Sequence, residues 1–337
     1  MALWLVTGAG GFIGYHVARR LLGDGESVVG VDNLSPYYDP DLKRARVRTL
    51  ETHPKFSFRT LDVSDRAAVA EVFRLHRPVG VIHLAAQAGV RHSLKAPMQF
   101  IDSNLVGFAN VLEECRRHNV HHLVYASSSS VYGETSTLPF SVQEPADHPV
   151  SLYAATKRAN ELMAHSYSHL FGLPSTGLRF FSVYGPWGRP DMAYFAFADA
   201  MLSGEPILLH GDGSALRDFT FIDDVVECLV RVARKPPSRT EPSGAIEPDP
   251  ATSTAPWQLF NVGRGHQLSV NHLIERLELL LGKVARRVSG EPQPADVSVT
   301  LADTKRLEEF VGFVPRTDLE DGLRQFTEWL IDYRRQT

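Results

Sequence analysis

Gly8, Gly11 and Gly14 fall three apart in Thr7-Gly-Ala-Gly-Gly-Phe-Ile-Gly14, between an apolar run, Leu3–Val6, and an amphipathic segment, Ile13–Leu22. Glycine at these positions lets a turn close, lets backbone approach a pyrophosphate and lets a helix pack on a strand. The helix start adds unpaired N–H groups and a positive dipole end for phosphate. Taken alone, the run is equally an ordinary strand–helix turn. Asp32 adds the second half of the pattern. It ends the apolar stretch Val28-Val-Gly-Val-Asp32, roughly the twenty residues on where a dinucleotide site needs an acid. A carboxylate there accepts hydrogen bonds from the ribose hydroxyls and repels a 2′-phosphate. Asn33 follows rather than arginine, which favours NAD over NADP. Asp62 and Val63, at the end of a third strand, are placed to flank adenine; Asp62 can equally cap the next helix.

The pattern continues through the first half. Leu3–Val6, Ser27–Val31, Phe56–Leu61, Gly80–Leu84, His122–Ala126 and Ser175–Arg179 read as strands. Ile13–Leu22, Ala67–Leu75, Asn104–Arg117 and Ala154–Leu170 read as helices between them. Such alternation predicts right-handed crossovers and an α/β fold, a Rossmann-type doubly wound parallel sheet. Beyond about Phe181 the pattern loosens, and helical signals return at Tyr194–Leu202, Val270–Leu281, Thr304–Phe310 and Leu319–Arg335. The division expected is an NAD-binding domain over 1–180, with returning segments at about 212–235 and 257–263. A smaller C-terminal substrate-binding domain takes 181–211 and 264–337. Residues 236–256, rich in Pro, Ser, Thr and acids, are expected to be an exposed insertion.

Composition narrows the partners. The 337 residues carry a net charge of −4 with both signs interspersed, so no basic block offers a nucleic-acid or membrane surface. Cys115 and Cys228 are far apart and lack metal-ligand spacing. Buried thiols in a reducing compartment are expected. The start lacks a signal-peptide pattern and no apolar run is long enough to span a bilayer, so a soluble cytoplasmic protein is expected. No His-Glu-x-x-His motif suggests a metal site.

Tyr153-Ala-Ala-Thr-Lys157 places a phenol and an ammonium one helical turn apart on one face. A phenol, with an ordinary pKa of about 10, needs roughly 4 kcal/mol of help to act as a base at neutral pH. A positive charge about 4 Å away supplies ~4 kcal/mol at an effective dielectric of ~20. Alone, this spacing is more often a surface pair. Its company is Ser127-Ser-Ser-Ser-Val-Tyr-Gly133, directly after a strand. Hydroxyls at a strand's carboxyl end face the ligand crevice, so Ser128 can orient a substrate hydroxyl beside Tyr153. The alternative is a serine loop that satisfies its own backbone.

With these residues in order, the chain resembles the extended short-chain dehydrogenase/reductase family over nearly its whole length. The likeness rests on Gly8–Gly14, Asp32, His83-Leu-Ala-Ala86, Asn104, Ser127–Gly133 and Tyr153–Lys157. Further stretches are Arg179-Phe-Phe-Ser-Val-Tyr-Gly-Pro186, Arg217-Asp-Phe-Thr-Phe-Ile-Asp-Asp224 and Asn261-Val-Gly263. The resemblance implies Tyr153 as acid/base, Lys157 as the nicotinamide-ribose ligand that lowers the Tyr153 pKa, and Ser128 as third member. It implies that Phe12, Ile13, Leu84, Ala85, Ala86, Asn104 and Phe180 join the glycines, Asp32, Asn33, Asp62 and Val63 around NAD. Within the family it is most similar to the UDP-glucuronate 4-epimerases, through Asp32-Asn-Leu-Ser-Pro-Tyr-Tyr-Asp39, Ala86-Gln-Ala-Gly-Val-Arg91 and Gly185-Pro-Trp-Gly-Arg-Pro-Asp-Met192. Ser128 and Ser182 stand where relatives often carry threonine.

The implied reaction removes the hydrogen at sugar carbon 4, lets the 4-keto sugar turn over, and returns the hydrogen to the other face. Related dehydratases carry an Asp-Glu pair at the positions of Ser129 and Ser130, and related decarboxylases a glutamate at the second. Both are serine here, so the acids for elimination are missing and hydroxyls are available for a carboxylate. Ser129, Ser130, Ser182 and Arg189 are the expected uronate clamp. Arg189 can otherwise be a solvated loop charge. Gln87 and Arg91 are expected near the sugar, Arg217 at the UDP diphosphate and Asp296 at the uridine ribose. His83 reads as structural. The alternatives are a UDP-glucose/UDP-galactose 4-epimerase, then a decarboxylase, a 4,6-dehydratase or an inactive NAD-binding scaffold. The resemblance also implies a homodimer through Asn104–Arg117 and Ala154–Leu170.

Overall fold

The structure, a computed structural model, describes residues 2–134, 137–240, 249–291 and 297–336. Six strands succeed one another in the first half: β1 (Leu3–Thr7), β2 (Ser27–Asp32), β3 (Phe56–Thr60), β4 (Gly80–His83), β5 (His122–Ser128) and β6 (Ser175–Phe180). All pair in parallel, and Trp257–Val262 adds to β6. The order across the sheet is Trp257–Val262, β6, β5, β4, β1, β2, β3. The chain runs outward from β1 to β3, then resumes at β4 on the other side of β1. That reversal opens a crevice above the carboxyl ends of β1 and β4.

Burial explains the sequence pattern. Every residue of β4 and β6 is buried, as a parallel sheet covered on both faces requires. The edge strand β3 instead exposes Ser57, Arg59 and Thr60. Helices Arg66–His76, Gly107–Arg117 and Leu152–Phe171 supply Phe73, Val111, Leu112 and Ala164 to one face, against Leu5, Val81 and Leu123. Helices Phe12–Gly23, Pro40–Glu51 and Ile222–Ala233 cover the other with Val17, Leu21, Leu42 and Leu229, against Val6, Val28 and Ile82. Each such side chain contributes about 1.5–3 kcal/mol when fully buried. Cys115 and Cys228 are buried free thiols, one in each layer.

The chain after β6 builds a smaller lobe. Ser182–Tyr184, Leu216–Phe221 and Gln267–Ser269 form one small sheet, and Ile207–His210 pairs with Arg287–Gly290 in another. Helices Ala193–Ser203, Val270–Leu281 and Leu319–Gln336 pack beside them through Phe195, Leu277 and Phe326. These belong to the same apolar cluster as the Phe12–Gly23 face, so the lobe is seated on the sheet layer.

Of the stretch 236–256, expected to be exposed, residues 241–248 lie outside the described residues. The remainder differs in part from that expectation. Ala251 and Ala255 are buried, the Ala251 carbonyl accepts the Leu259 N–H at 2.9 Å, and Asp249 pairs with Arg306 at 2.8 Å. Small residues beside a sheet strand let this segment pack despite its polar composition.

Candidate active site

The glycine turn is built as a phosphate cradle. Gly8 has φ of +73°, and a Cβ on Gly14 would lie 2.0 Å from the Gly8 carbonyl oxygen, so neither position accepts a side chain. The helix Phe12–Gly23 starts at Gly11 with no side-chain cap and no acid in its first turn. Its first N–H groups are therefore available to an anion. The Asp32 carboxylate accepts the Gly10 N–H at 3.1 Å and the Leu34 N–H at 2.8 Å, which fixes it at the end of β2 facing the crevice. Asp62 accepts from the Asn33 amide at 2.7 Å and from the Ser64 N–H and hydroxyl at 2.9 and 2.7 Å. Asp65, not Asp62, caps the following helix, through the N–H groups of Ala67 and Ala68. These uncapped N–H groups, the close-packed glycines and the placed acid fit an NAD molecule.

Above this cradle lies a cavity of about 460 Å³. Its wall runs from the glycine turn (Gly8, Gly11, Phe12, Ile13, Gly14) past Asp32 and Asn33 to Asp62 and Val63. It continues through Leu84, Ala85, Ala86 and Gln87 to Ser128, Ser129, Ser130, Tyr153 and Lys157, and closes with Phe180, Ser182 and Arg189. Residues from distant parts of the chain thus meet in one space of the size small ligands use.

Tyr153 and Lys157 sit in the first turns of helix Leu152–Phe171, which Ser151 caps by accepting the Ala154 N–H at 3.1 Å. The Lys157 ammonium donates to the Ala126 carbonyl at 2.9 Å, and burial lowers its pKa to about 8. Burial raises the Tyr153 phenol above its ordinary value, while the Ser128 hydroxyl and then the Arg189 charge pull it back. The chain's own cation nearest in effect to the phenol is therefore Arg189. Lys157 is turned toward the β5 carbonyl instead. The resemblance had implied that Lys157 lowers the Tyr153 pKa; in the chain alone the phenol stays protonated at neutral pH. Ser128 also caps the short turn Ser129–Tyr132, accepting the Ser130 N–H at 3.2 Å.

A buried ion pair underlies this turn. Glu161 accepts the Ser127 hydroxyl at 2.6 Å and two Arg179 N–H groups at 2.8 and 2.9 Å. Burial pushes the Glu161 carboxyl up, but Arg179, Ser127 and Arg158 pull it further down, below the usual carboxylate range. Glu161 is one turn beyond Lys157, so the helix that carries the phenol is locked to the strand that carries the serines.

Three expected residues, Asn104, Arg91 and Arg217, do not line the cavity. Asn104 is buried in a π-helical turn, Ile101–Val106. Its side chain accepts the Gln87 N–H at 2.8 Å and donates to the Gln87 carbonyl and the Thr156 hydroxyl, so it braces the wall from behind. Arg91 is exposed on the helix Val90–Lys95 and is not part of the lining, although Val90 beside it is. Arg217 donates to the carbonyls of Leu216 and Ser298 at 2.9 and 3.2 Å, also away from the wall. Asp296 lies outside the described residues.

Other lining residues escaped the sequence reading. Tyr37, Lys43 and Met192 line the cavity. Arg46, fully buried, donates to the carbonyls of Gly10, Trp187 and Gly188 at 2.9, 2.6 and 2.8 Å. It ties the glycine turn to the loop that carries Arg189. Lys43 and Arg46 fall in a charged helix, Pro40–Glu51, where only the mixture of Leu42, Val47 and Leu50 among arginines would have signalled a buried face.

Comparison with known proteins agrees with this geometry. The model of the NAD dependent epimerase/dehydratase family matches residues 4–243. A probable UDP-glucuronate 4-epimerase of Rhizobium meliloti (strain 1021) is 45% identical over 337 residues, covering 98% of each chain. UDP-glucuronate 4-epimerase 1 of Arabidopsis thaliana is 43% identical, with 98% of this chain and 76% of that one covered. The crystal structure of a UDP-glucuronic acid 4-epimerase from Bacillus cereus, in complex with UDP-glucuronic acid and NAD, superposes with a TM-score of 0.87 at 30% identity. That match covers 98% of this chain and 99% of the other.

Proposed function

The chain belongs to the NAD-dependent epimerase/dehydratase family, and on that premise we propose that it is a UDP-glucuronate 4-epimerase, interconverting UDP-glucuronate and UDP-galacturonate. The observation that carries the reading is the meeting in one cavity of Ser128, Tyr153 and Lys157 with an acid-free serine turn, Arg189 and the dinucleotide cradle. The relatives' names and the Bacillus cereus complex support it.

Gly8–Gly14 and the first turn of their helix would hold the NAD pyrophosphate, Asp32 the adenosine ribose, and Lys157 the nicotinamide ribose. Bound NAD supplies reversible acceptance of the carbon 4 hydride, with no net redox change. Tyr153 takes the proton of the 4-hydroxyl at its phenolic oxygen and later returns it, and Ser128 orients both oxygens. Burial keeps Tyr153 protonated in the chain alone, so the base forms only when a further positive charge enters the cavity. A 4-keto uronate is a β-keto acid and loses carbon dioxide readily. Ser129, Ser130, Ser182 and Arg189 hold its carboxylate so that the scissile bond stays out of line with the carbonyl. No carboxylate side chain stands at 129 or 130 to promote elimination.

A UDP-glucose 4-epimerase is the second reading. One observation favours it: Arg189 is already paired with Asp191 at 2.5 Å, which leaves the resting pocket closer to neutral. Incubating the protein with UDP-glucuronate, UDP-glucose and UDP-xylose, then separating products, tests both. Faster conversion of UDP-glucose removes the clamp, and release of carbon dioxide removes the serine-turn argument.

The same reading extends to a homodimer through the helices Gly107–Arg117 and Leu152–Phe171. Exposed Leu162, Leu170 and Phe171 on the second helix support it. Among the described residues no helix is long and apolar enough to cross a membrane, and we place the reaction in the cytoplasm.

A further inference from the structure

Arg189 meets Asp191 through two parallel hydrogen bonds, Nε to Oδ1 at 3.0 Å and Nη2 to Oδ2 at 2.5 Å. This fork geometry is the one a guanidinium uses for any carboxylate. Asp191 Oδ2 also accepts the Tyr37 hydroxyl at 3.0 Å, and the Tyr37 ring packs on His92 with centroids 4.5 Å apart. Arg189 and Tyr37 both line the cavity, whereas Asp191, hydrogen-bonded to both, is not part of its wall. The loop backbone is held by Arg46 at Trp187 and Gly188 and by His16 at Pro186, 2.9 Å away. The loop is thus fixed, and the freedom at its end belongs to the Arg189 and Asp191 side chains, each about a quarter exposed.

We propose that Asp191 is a built-in carboxylate that occupies the Arg189 fork in the resting enzyme and yields it to the carboxylate of a uronate substrate. It thereby acts as a positioning residue that sets the preference between charged and neutral sugars. The inference rests on the function proposed above. One edge of a guanidinium cannot satisfy two carboxylates, and two anions on one cation repel each other. A UDP-uronate therefore binds by exchange, and its affinity is reduced by whatever the internal pair is worth. A UDP-hexose with a neutral carbon 6 meets a neutral pair and has nothing to displace. Tyr37 remains as the acceptor's second partner, so Asp191 leaves the fork without losing every hydrogen bond.

The test is the pair of dissociation constants for UDP-glucuronate and UDP-glucose, measured by calorimetry on NAD-loaded Tyr153→Phe protein, in which turnover is blocked. Adding Asp191→Asn is expected to lower the ratio Kd(UDP-glucuronate)/Kd(UDP-glucose) by about fivefold, ~1 kcal/mol. It should also make UDP-glucuronate binding more sensitive to excess acetate, because a free carboxylate then finds the fork open. With Arg189→Gln as background, Asp191→Asn should no longer move the ratio. A ratio that Asp191→Asn leaves constant or raises while Arg189 is intact overturns the proposal. So does an equal effect in both backgrounds. Turnover of UDP-glucuronate by the unaltered chain is read separately. Its absence removes the proposed function, whereas turnover with an unmoved ratio removes only the role of Asp191.

Discussion

Replacing Glu161 with leucine tests how the catalytic helix is locked to the serine strand. Glu161 is fully buried and Arg179 is 1% exposed. The carboxylate takes four hydrogen bonds, from Ser127, twice from Arg179, and from Arg158 at 3.0 Å. Leucine fills the space but leaves the Arg179 guanidinium charged and stripped in a dry interior, where its Nη1 already has no hydrogen-bond partner. Breaking a buried pair from one side costs about 3–5 kcal/mol. With an unfolding entropy of about 2.1 cal/mol/K per residue, a chain of this size loses roughly 4–7 °C in Tm. Glu161→Gln keeps one acceptor oxygen and should fall between leucine and the unaltered chain. Thermal unfolding followed by near-ultraviolet circular dichroism, with and without added NAD, reads the effect. A Tm within about 1 °C of the unaltered chain for the leucine variant would refute the reasoning. It would mean that Arg179 finds other partners and that the pair does not hold the helix in place.

Other expectations follow from the same structure. Tyr153→Phe should retain NAD while turnover falls by about 10²–10⁴; unchanged turnover excludes the phenol as acid/base. Ser128→Ala removes a hydrogen bond that pulls the Tyr153 pKa down, so the acid limb of the kcat/KM pH profile should move to higher pH, and a limb that stays or moves lower contradicts the assignment. Arg46→Met removes the donor from three carbonyls, at roughly 1–3 kcal/mol for each of the two buried ones, at Gly10 and Gly188, and should lower both Tm and NAD retention. Burial lowers the pKa values of His16, His83 and His122 to about 3, 3 and 4. The unfolded chain takes up these protons from about pH 6.5 downward while the folded chain does not, so stability falls as pH drops through that window, by about 2 kcal/mol per histidine at pH 5. Denaturant midpoints between pH 7 and 5 check the sign, and a flat profile refutes it.

The parallel sheet was legible because its strands are short, largely apolar runs. β1, β2 and β4 show this plainly, with glycine or an acid at one end. The glycine turn and the Tyr153–Lys157 pair were legible for a related reason: their spacing is local, so a turn or one helical repeat brings them together, whereas Ser128 was legible from its place at the carboxyl end of a strand. What escaped depends on distance through space. Arg46 reads as a solvated charge in Pro-Asp-Leu-Lys-Arg-Ala-Arg, yet it bridges loops 36 to 142 residues away. The resemblance implies Asn104 as a cofactor ligand, but the π-helical turn carries its amide toward Gln87 and Thr156. Arg189 reads as a member of the uronate clamp or as a solvated loop charge, and no periodicity announces its pairing with Asp191 across a proline.

UDP-glucuronate carrying deuterium at sugar carbon 4, incubated with the purified protein and no added coenzyme, offers the most direct measurement. The account predicts UDP-galacturonate of unchanged mass, with the label kept at carbon 4. Failure to form that product, loss of the label to solvent, or a pentose nucleotide with release of carbon dioxide would contradict it.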